Sequence, residues 1–392
     1  MNEPVPVRRL TIMLVVGEPS GDQLGAQLMS ALKALAGESV RIVGVGGAAM
    51  TAEGLESLFP LDATSVMGLR EVVPRIPAIL ARVKRAADFA AKTRPDLVVA
   101  IDSPDFTHRI LRRLKRIDPT IKTANYAPPQ VWASRSYRAR AMARYVDAVL
   151  TLFPFAAAFF ERYGIRAVSV GYPVIERVVQ MTGGEEFRRA RGIAPDAPLI
   201  AVLPGSRRNE IRFILPPFKE AVRILARDIP GLVSVLPTAG HVAPLVKKAA
   251  EDWPTKAHVV ETDREKYAAF DAADVALAAS GTVTSELALA ATPMVAAYRL
   301  GWLTAKIGRP FLRAPYVVLV NLILNREAVP ELLQEKCTPE ALARALKLLL
   351  TDETARAKQL RDLDEAARAF GVGQERPSLR AARAVLELAE GR

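Results

Sequence analysis

The stretch LTIMLVVGEPSGDQLGAQLM, residues 10–29, decides the fold of the first half of the chain. An apolar run is followed by a turn of small residues and then by leucines at helical spacing, which predicts a strand, a loop and a helix. The glycines at 17, 21 and 25 do not have the G-x-G-x-x-G spacing of a dinucleotide site. The helix N-terminus can receive an anion or ligand hydroxyls, or Gly21 and Gly25 can serve only to bring the helix close to the sheet.

Short runs of Val, Ile and Leu alternate with helix-like segments along most of the chain. They occur at residues 10–16, 40–45, 97–101, 121–125, 147–152, 198–206, 231–237, 257–262, 273–280 and 293–298. This alternation predicts an α/β protein of two doubly wound, Rossmann-like domains, each with a parallel sheet covered on both faces. We place an N-terminal domain at 1–175, a second domain at 176–350 and C-terminal helices at 351–392, which can pack back on the first domain.

Length and composition limit the class of protein. A chain of 392 residues exceeds the usual size of one core, and 50% apolar with 24% charged residues is typical of globular domains. The single cysteine, Cys337, excludes an internal disulfide and suits a reducing compartment. No apolar stretch is long enough to predict a membrane span, and the single cysteine favours the reducing cytosol, so we expect a cytoplasmic protein. The three histidines are scattered, so we expect no metal site.

The net charge of +12 favours partners that carry phosphate, whether nucleic acid, anionic lipid or a phosphorylated small molecule. The arginine-rich runs at 112–116 and 135–145 have the spacing of a solvated helix face. The sequence shows no aromatic platform for RNA and no recognition helix, so no nucleic acid is expected. The segment 65–89 places apolar residues at three and four spacing with Arg and Lys between them. Such a surface suits an anionic bilayer, although a core-facing helix with snorkelling basic side chains has the same pattern.

In the first domain, the stretch AIDSPDFTHRI, residues 100–110, follows a buried strand. Ser103 and Pro104 have the types expected at the N-cap and first position of a helix, and Asp105 complements the helix dipole. Asp102 precedes the cap and stands at the carboxyl end of the strand, where ligands of open α/β sheets bind. It is either a functional carboxylate or a residue that orders the loop. His108 lies inside the following helix and is expected to be structural.

In the second domain, LPGSRRNEI at 203–211 repeats the strand, turn and helix design. Gly205 permits close approach of the backbone, Ser206 can cap the helix, and Arg207 supplies a planar fork that fits phosphate oxygens. The stretch lacks the Gly-Lys-Ser/Thr of a P-loop, so it does not predict an ATPase.

A second strand end in this domain is AASGTVTSELALA, residues 278–290. Ser280, Gly281 and Thr282 can offer backbone N–H groups to a diphosphate. Glu286 falls about one turn inside the helix, where it can accept a hydrogen bond from a ribose. An ordinary capped helix has the same pattern.

Several motifs follow one another in a fixed order from about residue 10 to 350. They are GEPSGDQLGA, GVGGAAMTAEGLESL, SVMGLREV, IDSPDF, LPGSRRNEI, SGTVTSELALA and NLILNREAVPELLQE. Together they resemble the lipid-A-disaccharide synthase family of inverting glycosyltransferases with GT-B architecture. The resemblance implies two domains facing a cleft and no cofactor. It also implies the reaction of UDP-2,3-diacylglucosamine with 2,3-diacylglucosamine 1-phosphate, which gives the β-1′,6-linked disaccharide 1-phosphate and UDP in one displacement.

The resemblance also implies roles for individual residues. Asp102 corresponds to the family's proposed general base. The polar residues on the nucleotide side correspond to Arg207, Glu286 and Asn321. The N-terminal domain is expected to hold the acceptor sugar, in a pocket lined by Glu18, Ser20, Gly21 and Asp22.

The chain departs from the family pattern at three places. Tyr172 stands where many members have His, Ser134 where they have Trp, and Val320 where they have Pro. The alternative is another UDP-sugar enzyme of the same architecture, either a peptidoglycan-type glycosyltransferase or a UDP-GlcNAc epimerase. Acylated substrates and the basic segment at 65–89 together suggest peripheral contact with the anionic inner face of the bacterial inner membrane.

Overall fold

The computed structural model describes residues 9–61, 76–129, 137–240, 242–299 and 315–392. The chain divides into two compact units, the first made of Met1–Pro173 with Gln374–Arg392 and the second of Val174–Gly373. The boundary expected after residue 175 therefore falls after Pro173. The C-terminal helices do not form a separate segment, because only the part from Gln374 onward returns to the first unit.

Each unit is built on a six-stranded parallel sheet. Strands β1 to β6 of the first sheet are Leu10–Val16, Val40–Val45, Leu97–Ile101, Thr123–Tyr126, Ala148–Thr151 and Arg166–Ser169. Strands β7 to β12 of the second sheet are Leu199–Leu203, Val233–Pro237, Lys256–Val260, Val275–Ala279, Met294–Tyr298 and Glu331–Leu333. The inner strands β3, β7 and β10 are buried on both faces, which explains their continuous apolar sequences. The predicted fold class is confirmed.

Helices connect the strands and cover the sheets. In chain order, α1 to α8 are Pro19–Ala36, Ala48–Ala52, Ile76–Thr93, Pro104–Ile117, Tyr137–Met142, Pro154–Glu161, Gly184–Ala190 and Arg208–Asp228. Helices α9 to α15 are Ala243–Ala250, Asp263–Ala272, Thr282–Leu289, Leu319–Leu324, Pro339–Thr351, Glu353–Phe370 and Pro377–Glu390. Short 3-10 helices lie at Gly37–Ser39, Pro173–Gln180 and Gln334–Lys336. Among the described helices, none has the length and apolar character needed to cross a bilayer.

The first sheet carries a core on each face. Ile12 and Leu14 of β1 join the cluster that contains α1 and α15, while Met13 and Val15 join the cluster that contains α3 and α4. Successive residues of one strand thus serve opposite faces. In the second unit, the cluster on one face packs α8 and α13 against β7 and its neighbours.

The strand orders place one reversal in each sheet. The first order is β2-β1-β3-β4-β5-β6 and the second is β12-β11-β10-β7-β8-β9. The direction of winding therefore changes between β1 and β3, and again between β7 and β10. The loops that leave two such strands run to opposite faces of the sheet, and this opens a crevice where ligands of α/β proteins bind. The motifs that end β1, β3, β7 and β10 all lie at these two crevices.

Candidate active site

The loop after β3 is strained. Asp102 and Ser103 have φ angles of +53° and +41°, so two successive residues other than glycine adopt the left-handed conformation. Each such residue costs on the order of 1–3 kcal/mol, and this strain is concentrated at functional sites. Ser103 precedes α4, but its side chain does not cap the helix as expected. Its hydroxyl instead donates to Glu18 Oε1 at 3.3 Å.

The Asp102 carboxylate is held in place from both oxygens. Oδ1 accepts from the backbone N–H of Ser103 at 2.8 Å, and Oδ2 accepts from the hydroxyl of Ser20 at 2.7 Å. The structure thus brings Glu18, Ser20 and Asp102 together at the β1–β3 crevice. An alcohol group already lies in hydrogen-bond contact with the half-buried carboxylate.

The glycines of the opening stretch allow this convergence. A Cβ at Gly17 would lie 2.5 Å from the Ser103 hydroxyl oxygen, and one at Gly21 would lie 3.2 Å from the carbonyl oxygen of Ile101. Both glycines therefore serve close approach of the β1 and β3 loops. Gly21 is buried, so it supports the crevice wall and presents little surface to a ligand.

Asp22 has a structural task besides the one implied by resemblance. Its side chain is buried, and its carboxylate accepts the backbone N–H groups of Gly47, Ala49 and Met50 at 2.7, 2.8 and 3.2 Å. Asp22 therefore caps the N-terminus of α2 and fixes the loop after β2. These bonds give Asp22 a role in the support of that loop, and its expected place in the acceptor pocket stays a prediction.

A buried polar chain lies beneath the β3 loop. The ring of His108 is within 3.2 Å of the Tyr145 hydroxyl at Nδ1 and within 3.0 Å of Asn125 Oδ1 at Nε2. The amide of Asn125 also donates to the carbonyl oxygen of Tyr126 at 3.3 Å, and the same oxygen accepts the N–H of Asp102 at 3.3 Å. Burial lowers the pKa of His108 to about 4, so that this histidine is neutral at pH 7.

In the second unit, a carboxylate of the chain itself fills the turn after β7. Glu210 Oε2 accepts from the backbone N–H groups of Ser206 and Arg207, each at 3.2 Å, and Oε1 accepts from the Arg207 guanidinium at 2.9 Å. Arg207, and not Ser206, is the N-cap of α8. Gly205 has φ +106° and closes the turn. The backbone groups predicted to hold phosphate are therefore occupied, whereas the Arg207 side chain is 63% exposed.

Glu210 was missed by the sequence argument, although a signal for it exists. A glutamate three residues after the N-cap is the spacing of a capping box, in which the side chain returns to the backbone of the cap. The Tyr298 hydroxyl, at the end of β11, also lies 3.3 Å from Glu210 Oε1. Burial and the Glu210 charge raise the pKa of Tyr298, which stays protonated.

The turn after β10 is open by comparison. Gly281 is the N-cap of α11 and, as a glycine, has no side chain with which to cap the helix. A Cβ at Gly281 would meet no atom within 4 Å. Ser280 is tied to the sheet by its N–H, which donates to Ala297 O at 2.9 Å, while Gly281 and Thr282 are exposed. The N-terminus of α11 thus offers space and positive potential for an anion.

Glu286, one turn inside α11, is 4% exposed and lies among cationic groups. Its Oε1 accepts from Arg177 Nη1 at 2.9 Å and from the Tyr267 hydroxyl at 3.2 Å. Lys266 Nζ lies 3.2 Å from Oε2. Arg177 comes from the 3-10 helix Pro173–Gln180, far away in sequence, and no local pattern indicated that it would reach Glu286.

Asn321 is fully buried and uses its amide group within its own loop. Its Oδ1 accepts the N–H groups of Ala328 and Val329, each at 2.8 Å, and its Nδ2 donates to Val329 O at 2.7 Å and to Glu331 Oε1 at 2.8 Å. These bonds satisfy the amide oxygen and both amide hydrogens. Asn321 therefore fixes the chain between α12 and β12, and its expected place on the nucleotide side stays a prediction.

The departures from the family pattern have separate outcomes. Tyr172 is buried, with its ring 5.3 Å from that of Phe153, so it fills space in the first unit. Val320 is also buried. Ser134 lies outside the described residues. Within the described ranges, no group of three or more His, Cys, Asp and Glu residues could hold a metal ion.

Comparison with solved structures defines the class. The UDP-GlcNAc 2-epimerase from Neisseria meningitidis, bound to UDP-GlcNAc, superimposes with a TM-score of 0.62 over 98% of this chain and 100% of that chain, at 12% identity. MurG from Acinetobacter baumannii gives 0.58 over 96% and 99%, at 15% identity. At these identities the likeness establishes the fold. The protein has the GT-B fold, with two Rossmann-like units.

Sequence comparison identifies the family within this class. The family model described as lipid-A-disaccharide synthetase matches residues 12–384. The lipid-A-disaccharide synthase of Rhodospirillum centenum is 45% identical over 382 residues, which cover 97% of this chain and 95% of that protein. The one from Paramagnetospirillum magneticum is 46% identical over 380 residues, covering 96% and 97%. The chain belongs to the lipid-A-disaccharide synthase family and is a glycosyltransferase, so the resemblance of its motifs is confirmed.

Proposed function

We propose that the protein transfers diacylglucosamine from UDP-2,3-diacylglucosamine to the 6-hydroxyl of 2,3-diacylglucosamine 1-phosphate. The products are the β-1′,6-linked disaccharide 1-phosphate and UDP. The observation that carries this proposal is the strained, half-buried Asp102 at the β1–β3 crevice of a chain in this family. A carboxylate fixed through one oxygen and bound by an alcohol through the other has the geometry of a base waiting for a hydroxyl proton.

In the proposed mechanism, the acceptor hydroxyl replaces Ser20 as the donor to Asp102 Oδ2. As the acceptor oxygen attacks the anomeric carbon, its proton passes to Oδ2 and the bond to the UDP oxygen breaks on the opposite face. One displacement inverts the configuration and requires no covalent intermediate. Glu18, which holds Ser103, is assigned to the acceptor side of the same crevice.

The leaving diphosphate is assigned to the β7–β10 crevice. Its oxygens would meet the open N-terminus of α11 at Ser280, Gly281 and Thr282, together with the exposed guanidinium of Arg207. Because the backbone N–H groups of Ser206 and Arg207 already donate to Glu210, we assign phosphate recognition after β7 to the Arg207 side chain alone. These groups stabilise the negative charge that develops on UDP. Glu286 is assigned to the ribose.

We further propose that the enzyme works at the cytoplasmic face of the bacterial inner membrane. In α3 the apolar side chains of Ile76 and Leu80 are 43% and 46% exposed, and Lys84 and Arg85 are exposed beside them. From Val83 onward the apolar face is buried, as expected for a core-facing helix. The exposed first turns, together with the charge of +12, suit peripheral contact with anionic lipid. The remainder of the basic segment, residues 65–75, lies outside the described residues.

Release of UDP from defined substrates tests the proposed function. Purified protein is expected to release UDP only when both acylated sugars are present. Its disaccharide product should have the β configuration. Turnover of plain UDP-N-acetylglucosamine without the acylated acceptor would instead favour an epimerase or a peptidoglycan-type glycosyltransferase.

A further inference from the structure

The ion cluster around Glu286 contains more charged groups than a single salt bridge that anchors a helix. One carboxylate, 6% exposed at its side chain, faces two cationic side chains, Arg177 at 36% and Lys266 at 20% exposure. Among the described residues, Lys266 also pairs with Asp263 at 3.0 Å, but the Asp263 side chain is 78% exposed and this pair is therefore screened by water. The cluster thus holds an excess of positive charge beside the N-terminal turn of α11.

Such an arrangement is costly if its purpose is only structural. Taking charged groups out of water carries a desolvation penalty that a buried ion pair often fails to recover, and apolar side chains of similar size would stabilise the fold as well or better. Burial opposes the charge on Lys266, but the Glu286 carboxylate and neighbouring groups overcome that effect and raise the pKa of Lys266. Lys266 therefore carries its positive charge at pH 7.

Counting acceptor positions shows what the cluster leaves open. A carboxylate has about four lone-pair positions. Arg177 and Tyr267 use the two on Oε1, while the Lys266 ammonium forms an ion pair at 3.2 Å from Oε2. Among the described residues this leaves at least one position on Oε2 open, and rotation of the carboxylate to any other use would break the bonds to Oε1.

We infer that Arg177 and Lys266 are positioning residues of the nucleotide site, which orient the Glu286 carboxylate so that Oε2 accepts a ribose hydroxyl. This inference rests on the proposed binding of UDP by the second unit. It makes the pair responsible for selection of a ribonucleotide over an analogue without ribose hydroxyls, because a site built around a charged acceptor discriminates against a ligand that cannot donate to it. Neither residue needs to touch the nucleotide.

The test compares UDP with 2′,3′-dideoxyuridine diphosphate by calorimetry. Glu286→Gln is expected to weaken UDP binding by about 10- to 100-fold, the range of one hydrogen bond to a charged group. The same substitution should weaken binding of the dideoxy analogue by less than about threefold. Arg177→Met should weaken UDP binding by about 5- to 30-fold, because it acts through Glu286. Like Glu286→Gln, it should leave the affinity for the dideoxy analogue nearly unchanged. Arg177→Lys, which keeps the charge, should recover most of the loss.

A double-mutant cycle isolates the coupling. In the Glu286→Gln background, Arg177→Met should change UDP affinity by less than about twofold. Lys266→Met tests the same coupling, because Lys266 pairs with Oε2 of Glu286. This variant replaces Arg177→Met if circular dichroism shows that the Arg177 variant does not fold. Arg223→Met, at an exposed ion pair on α8, is the control for net charge.

Two results would overturn the inference and can be told apart. If Arg177→Met and Lys266→Met weaken UDP and the dideoxy analogue equally, the pair supports the fold or binds the diphosphate directly. If Glu286→Gln leaves UDP affinity unchanged, the proposed placement of the ribose fails, and the inference fails with it.

Discussion

Lowering the pH from 7 to 5 should destabilise the first unit through one buried histidine. His108 is 4% exposed and is bound on both ring nitrogens. Burial is the main cause of its low pKa, and the nearby Arg112 guanidinium adds to the effect. Protonation would place a second cation beside Arg112 and convert the acceptor nitrogen into a donor. The folded protein therefore resists taking up this proton.

The magnitude follows from linkage. The folded pKa of His108 is about 4, whereas the unfolded value is about 6.5. Above pH 6.5 both states are neutral and the group has no effect. Between pH 6.5 and 4 the unfolded state binds more protons, so stability falls as the pH falls. The loss is about 2 kcal/mol at pH 5 and approaches about 3 kcal/mol below pH 4.

Two assays read this effect. With three histidines in the chain, the His108 ring protons can be assigned in NMR spectra by comparison with His108→Gln. They should titrate near pH 4. Urea unfolding at pH 7 and pH 5 should then show that the wild-type protein loses about 2 kcal/mol more than the His108→Gln variant. A His108 titration near pH 6.5, or equal losses in both proteins, would refute the reasoning.

Three other predictions concern the loops and the surface. Arg207→Ala should weaken UDP binding by about 1.5–3 kcal/mol in calorimetry. Arg208→Ala, at the exposed neighbouring residue, should leave UDP binding unchanged, and equal effects of the two substitutions would contradict the assignment of Arg207 to the diphosphate. Gly17→Ala should lower turnover at least about tenfold in a UDP-release assay, since its Cβ would press on Ser103 and displace the base. Wild-type turnover of Gly17→Ala would show that the loop at Asp102 and Ser103 accommodates the extra methyl group without displacing the base. Sedimentation with anionic vesicles should weaken in salt and be reduced by Leu80→Glu, whereas a protein that stays in the supernatant at low salt would contradict membrane contact.

Local patterns explain which features of the fold were predictable. The run of residues 10–29 contains its strand, turn and helix within one short window, and the doubly wound sheets follow from repetition of that unit. Asp102 was found because it precedes a Ser-Pro helix start, where no capping task explains a carboxylate. The same reasoning correctly placed Ser103 at the N-cap and Pro104 at the start of the helix, but it did not foresee that the left-handed Ser103 would turn its hydroxyl to Glu18 instead of capping.

Long-range contacts explain the features that were not predictable. Asp22 and Asn321 each carry groups that a ligand could use, but tertiary packing places backbone groups around them first. Arg177 reaches Glu286 from 109 positions away in the chain. A motif gives the types of residue near a site, whereas the direction of each side chain depends on neighbours that a single sequence does not identify.

The most direct test of the account is turnover by Asp102→Asn. Asparagine keeps the size and most hydrogen bonds of Asp102 but cannot accept the proton, so kcat should fall by about 10²- to 10⁴-fold. Affinity for UDP should stay within about twofold, because the base does not contact the nucleotide. Asp105 is an exposed carboxylate on the first turn of α4, and the Asp105→Asn enzyme should remain active. A correctly folded Asp102→Asn enzyme that works within a few-fold of wild type would contradict the assignment of Asp102 as the base.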